Sequence, residues 1–165
     1  MLFRSNAYNF YSYSGTARAL IMGVSTFNLS NQWYVTSSGL TLNAGTSTIS
    51  FGSGMANFNG GGFTYYDISL GGTGGGMFAA INDNNTFHDA FIGVDINING
   101  TNTFNNVTLT KNGNINGSNT FNNLTFSPGF TYTLQAGQIQ TINTDRKSTR
   151  LNSSHIQKSR MPSSA

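Results

Sequence analysis

The sequence predicts an all-β protein, a parallel β-solenoid whose coils are about 17–22 residues long. Three observations carry that expectation. First, a phrase recurs at fixed spacing. NGTNTFNNVTLT at 99–110 returns as NGSNTFNNLTFS at 116–127, a shift of 17, and a weaker copy, NDNNTFHDAFIG at 82–93, lies 17 residues earlier. Second, the apolar positions of the copies coincide in columns, whereas the residues between them alternate apolar and polar, the period of a strand with one buried face. Third, Asn, Thr, Ser, Gly and Phe dominate the chain, and it has no Glu. Thr, Phe, Tyr, Ile and Val favour strands, and Asn and Gly favour the turns between them.

Along the chain, TLNAGTSTIS at 41–50 reads as two short strands around an Ala-Gly turn. FTYYDISL at 63–70 is an older copy of the repeat. It places Tyr65, Ile68 and Leu70 in the columns of Phe87, Ala90 and Ile92. The step from Tyr65 to Phe87 is 22, so GGTGGG at 71–76 reads as a loop inserted between coils. The three clear copies then align Ile81, Ile98 and Ile115, followed by Phe87, Phe104 and Phe121. One coil cannot bury its apolar face alone, but stacked coils share a continuous core. The Phe column is expected to be a ladder of stacked rings. TLQAGQIQTIN at 133–143 resembles 41–50 with one residue added and suggests a longer super-repeat. A β-sandwich of hairpins is the alternative architecture.

The ends read differently from the middle. Residues 145–165, DRKSTRLNSSHIQKSRMPSSA, hold five of the eight basic residues. A basic tail ordinarily suggests a disordered arm for nucleic acid or anionic surfaces. This one resembles the in-frame translation of a common sequencing adapter, and MLFRS at 1–5 resembles the translated reverse complement of the same adapter. The expected organisation is therefore an adapter-derived scar at 1–5, a β-solenoid repeat domain at 6–144 that is a fragment open at both ends, and a non-native, disordered C-terminal tail at 145–165. Between the scars, Arg18 and Lys111 stand against Asp67, Asp83, Asp89 and Asp95, a formal net charge of −2. The case for a nucleic-acid partner leaves with the tail. Without Cys, disulfide frameworks and zinc-thiolate sites are excluded. The best apolar run, ALIMGV at 19–24, falls far short of the roughly 20 residues that span a membrane, so no membrane insertion is expected.

GVSTFNLS, QWYVTSSGLTLNAGTSTISF, FNGGGFTYYDISL and GTNTFNNVTL follow one another in that order. Over residues 16–143 the chain resembles the β-strand-repeat proteins of environmental sequences, which include phage structural proteins and large bacterial surface proteins. The resemblance implies a non-enzymatic structural role, as a spacer or adhesion stalk on a virion or at the cell surface, outside the cell. It supplies no catalytic residue. The implied partners are neighbouring coils of the same parent chain or like subunits, with surface glycans a further class. The alternative is a carbohydrate-binding or polysaccharide-processing β-helix.

Candidate sites are few. Polysaccharide hydrolysis needs two carboxylates roughly 5–9.5 Å apart. Asp67 and Asp89 share a column, but the later coils carry Asn106 and Asn123 there. That exchange points to an Asx-turn position or a stacked Asn ladder, although a calcium site between the two acids is conceivable. Asp83 aligns with Gly100 and Gly117, a turn position. Asp95 precedes a strand with no evident partner. His88 aligns with Asn105 and Asn122 on the outside, and a lone His without Cys or Glu makes no metal constellation. NGGG at 59–62 and GGTGGG at 71–76 lack the Lys-Ser/Thr and the helix of a phosphate loop. The sequons at Asn28, Asn84, Asn99, Asn106, Asn116 and Asn123 follow from composition. Trp33, Tyr34, Tyr65 and Tyr66 are candidates for a sugar-binding aromatic platform, with core and turn packing favoured for Trp33 and Tyr34. The sequence thus predicts no catalytic residue, cofactor or metal.

Overall fold

The computed structural model describes residues 4–52, 55–71 and 78–144. The expected adapter-derived tail at 145–165, residues 1–3 of the scar and most of the 71–76 glycine loop lie outside the described residues. The chain forms strands β1 (Arg4–Ser12), β2 (Arg18–Ile21), β3 (Thr26–Val35), β4 (Leu40–Asn43), β5 (Thr48–Phe51), β6 (Ala56–Asn59), β7 (Thr64–Leu70) and β8 (Phe78–Asn82). It continues with β9 (Thr86–Ile92), β10 (Asp95–Ile98), β11 (Thr103–Leu109), β12 (Gly113–Ile115), β13 (Thr120–Phe126), β14 (Tyr132–Leu134) and β15 (Thr141–Thr144). Among the described residues there is no helix, and none therefore long and apolar enough to cross a membrane.

Every strand pairing among these elements is parallel. A sandwich of hairpins requires antiparallel neighbours and is thereby excluded. The protein is a parallel β-solenoid of about six turns. One face runs β5-β7-β9-β11-β13-β15 and the other β6-β8-β10-β12-β14. The long β3 joins them: residues 26–29 pair with β5 and residues 32–34 with β6. β1 extends the stack below β3, with Arg4 and Ser5 paired to Thr26 and Phe27.

The expected columns are in register. Phe104 pairs with Phe87 and Phe121, Ile98 with Ile81 and Ile115, and Tyr65 with Phe87. The rings of Phe87, Phe104 and Phe121 stack with centroids 5.1 and 5.4 Å apart and planes within 14°. All three are buried, facing a core completed by Ile81, Ile98, Ile115, Val107 and Leu109. The ring separation is close to the 4.7–4.9 Å spacing of neighbouring strands, so the backbone ladder itself sets the aromatic stack. Each offset pair adds about 0.5–1.5 kcal/mol beyond burial.

The coil changes shape along the chain. In the early coils a tight turn separates β2 from β3 and β4 from β5. From β7 onward a bend inside one strand replaces that turn. In β11 the bend falls at Asn105 and Asn106, two consecutive residues that both point away from the core between Phe104 and Val107. Asn106 therefore does not occupy an Asx turn, the first of the two roles expected for its column. Its side chain bonds to the coils before and after it rather than to its own backbone, donating to Asp89 and accepting from Asn123. The suggested super-repeat is also overturned. Thr48, after the first Ala-Gly turn, pairs with Asp67, whereas Thr141, after the second, pairs with Thr120. The two similar phrases build different corners.

Asparagine accounts for much of the stacking outside the core. Asn99 donates to Asn82 and Asn116 to Asn99, both at 2.9 Å, one rung per coil. Asn114 repeats this on Asn97 and Asn122 on Asn105. A second ladder lies inside the wall, where Asn85, Asn102 and Asn119 are buried. The Oδ1 of Asn102 accepts from the backbone N–H of Asn85 at 3.0 Å, and its Nδ2 donates to the carbonyl of Asn99 at 2.9 Å. In the following coil Asn119 makes the equivalent pair of bonds. These amides serve corner backbone groups that would otherwise be buried unpaired. Among the described residues no buried side-chain N or O lacks a partner.

Candidate functional site

The bend that narrows the later coils also brings the polar candidates together. At the bend in β7 and β9, Tyr66 and His88 point outward side by side, and Asp67 and Asp89 follow them in the next column. Asp67 and Asp89 are register partners on adjacent strands. Two carboxylates on neighbouring rungs repel each other. His88 lies against both: its Nδ1 is 3.2 Å from Asp67 Oδ1 and 3.6 Å from Asp89 Oδ1. The imidazole stacks on the Tyr66 ring, with centroids 4.2 Å apart and planes within 7°. From the other side, Asn106 Nδ2 donates to Asp89 Oδ1 at 2.6 Å. The three side chains are between a third and a half exposed.

Asp67, His88 and Asp89 each present one ligand atom within 4.8 Å of the others, the one such His/Cys/Asp/Glu trio among the described residues. The sequence columns set His88 apart from the acids, and the parallel register unites them. His88 is outside, as expected, but it is not alone. The sequence does hold a signal for this. His88 and Asp89 are sequence neighbours, and Asp67 aligns with Asp89. What the columns do not convey is that the bend turns two consecutive residues to the same side.

The remaining candidates are accounted for locally. Asp83 takes a positive φ of 73° at the turn column it shares with Gly100 and Gly117. Its Oδ2 accepts from the Gly61 N–H at 2.8 Å. Asp95 has a partner after all: its Oδ1 accepts from the backbone and side-chain amides of Asn112 at 3.1 and 3.2 Å. Trp33 and Tyr65 cannot belong to a sugar platform. Both are buried, and the Trp33 indole N–H donates to the Tyr65 hydroxyl at 3.3 Å. That hydroxyl donates in turn to the Gly60 carbonyl at 2.8 Å, and burial pushes its pKa well above the usual phenol value. Tyr66 is occupied by His88.

Of the four aromatic candidates, Tyr34 does belong to an aromatic surface, which it shares with Tyr11 and Tyr13, two residues the sequence did not single out. Tyr11, Tyr13 and Tyr34 lie with ring centroids 6.2–6.4 Å apart, and Tyr11 and Tyr13 are at least half exposed. The signal was the alternation in YNFYSYS at 8–14, which sends Tyr11 and Tyr13 to one side while Phe10 stacks on Trp33.

Comparison with known proteins yields no match, whether to a family model, a curated protein or a solved structure.

Proposed function

We propose that the chain is a non-enzymatic structural module, a rigid spacer or adhesion stalk of a virion appendage or a bacterial surface protein, working outside the cell. The observation that carries this reading is where its polar groups go. Coil after coil, the outward asparagines bond to the asparagines of the next coil, and the buried ones close its corners. A surface so committed to holding coils together suits a load-bearing rod. The two paired acids fit a hydrolase poorly. Their ligand atoms lie within 4.8 Å, nearer than the roughly 5–9.5 Å that glycoside hydrolysis uses, and they sit on an open surface bend. The test is a panel of glycosidase and polysaccharide-lyase substrates. No turnover is expected. Turnover abolished by Asp67→Asn or Asp89→Asn would replace the structural reading with the enzymatic one.

The Tyr11, Tyr13 and Tyr34 cluster favours one elaboration, binding of surface glycans by stacking of sugar rings. Glycan-array binding lost in Tyr13→Ala would make the stalk an adhesin. Binding unchanged by Tyr13→Ala would remove the tyrosines from that role.

A further inference from the structure

We propose that Asp67, His88 and Asp89 form a binding site for a divalent transition-metal ion of the zinc class, with one imidazole nitrogen and two carboxylate oxygens as its protein ligands. The geometry comes first. Zinc binds imidazole nitrogen and carboxylate oxygen at about 2.0–2.2 Å in a tetrahedral arrangement, which places neighbouring ligand atoms about 3.3 Å apart. Here His88 Nδ1 lies 3.2 and 3.6 Å from the two carboxylate oxygens. These separations from the nitrogen are those that a tetrahedral ion imposes. The ion would fill the space between the three atoms, and water would complete the fourth position.

The supporting groups are also in place. A metal-binding His is normally held by contacts outside the metal, and its carboxylate partners are hydrogen-bonded in turn. The Tyr66 ring stacks flat on His88 and holds the plane of the imidazole, while Asn106 holds Asp89.

A second observation is the departure from the repeat. The column runs Thr48, Asp67, Asp89, Asn106, Asn123 and Thr144, neutral everywhere except at two adjacent rungs. The neighbouring outward column runs Tyr66, His88, Asn105 and Asn122. The His therefore falls beside the two paired acids. An amide serves the same stacking role in the later coils, so stacking does not call for these acids. A shared cation does.

Donor chemistry selects the ion. Imidazole suits zinc, nickel and copper, whereas calcium takes six to eight oxygens and makes no use of a ring nitrogen. The site is independent of the stalk reading. It would pin β7 to β9, across the 22-residue step from Asp67 to Asp89.

The test is calorimetric titration of the metal-stripped full chain with zinc chloride, paired with cobalt(II) absorption, which reports coordination geometry. The expected result is one equivalent bound with a tetrahedral cobalt spectrum. His88→Ala, Asp67→Asn and Asp89→Asn should each abolish it, and each should retain the β-rich circular dichroism of the parent. Asn106→Ala should weaken binding by roughly tenfold to a hundredfold, the usual effect of a supporting contact. His155→Ala, which removes the other His of the chain, should leave it unchanged. Absence of zinc binding, retention of binding in His88→Ala, or preferential binding of calcium would each overturn the proposal. In the first of these results His88 serves the two acids only as a hydrogen-bonding partner.

Discussion

Phe104 and Asn105 are neighbours in sequence with opposite duties. Phe104 is fully buried in the middle of the ring stack, whereas Asn105 faces outward and accepts one rung from Asn122. Phe104→Ala should cost roughly 3–5 kcal/mol, through lost burial and the cavity left between Phe87 and Phe121. Asn105→Ala should cost about 1 kcal/mol, the net worth of one hydrogen bond. Urea denaturation of the two variants checks the contrast, and equal costs would contradict the in-register stack. Tyr65 adds a pH dependence. Its hydroxyl is buried between Trp33 and Gly60, and burial is the main cause that raises its pKa. The unfolded chain releases that proton near the ordinary phenol value of about 10, while the folded chain holds it to higher pH. The stability attached to this group is therefore complete below about pH 10 and declines as pH climbs from there through the folded pKa. Tyr65→Phe should lose about 1–3 kcal/mol at neutral pH, because the Trp33 N–H is left unpaired, whereas the Gly60 carbonyl keeps the Phe63 N–H. The variant should also flatten the alkaline decline, as read from thermal melts between about pH 9 and pH 12. Tyr132, whose pKa burial also raises, accounts for a residual slope.

At the scale of the element, the corners decide more than the strands. The strands were legible because alternation and the 17-residue step state directly which side chains share a column. The corners were less so. NGTN and NGSN announce a turn, but nothing local announces that Asn102 and Asn119 point inward and accept from the backbone of the preceding coil. Gly117 shows why the corner is demanding. It has a φ of 76°, and a Cβ there would lie 2.1 Å from the Gly100 carbonyl oxygen. The coils pass too closely at that point for any side chain. Asp83 holds the same column because the coil beneath it offers the Gly61 N–H, which its carboxylate accepts. The change from turned to bent coils at β7 was likewise hidden, since it depends on which two consecutive residues face outward. The Asp67–His88–Asp89 cluster was hidden with it. Its columns were correctly aligned, but no period reveals that adjacent columns share one side. Asn102→Ala tests the corner directly. It strips partners from the Asn85 N–H and the Asn99 carbonyl, both within the wall. A loss of about 2–6 kcal/mol is expected, from two unpaired buried groups at roughly 1–3 kcal/mol each, and it should exceed that of outward Asn114→Ala. Paired urea titrations would detect the difference.

For the whole molecule, stability is approximately a sum of coil terms and coil–coil interfaces, because each coil touches only its neighbours. That property makes the register testable by deletion. Residues 99–115 are one period. Removing them joins Ile98 to Asn116, so that NGSNTF follows β10 in place of NGTNTF. β9 then meets β13, with Phe87 against Phe121, and β10 meets β14, with Ile98 against Leu134. Every inward residue stays inward. Removing 99–114 instead displaces everything downstream by one residue. In a strand that shift exchanges the buried and exposed faces, sending Phe121 and Leu124 outward and their polar neighbours into the core. The 17-residue deletion should therefore keep a single cooperative melt and a β-rich spectrum. Its dependence on urea should be shallower, because less surface is exposed on unfolding. The 16-residue deletion should lose cooperative melting in the coils beyond the junction. Comparable melts for the two would mean that the columns do not govern the fold, and the load-bearing rod proposed from them would lose its physical basis.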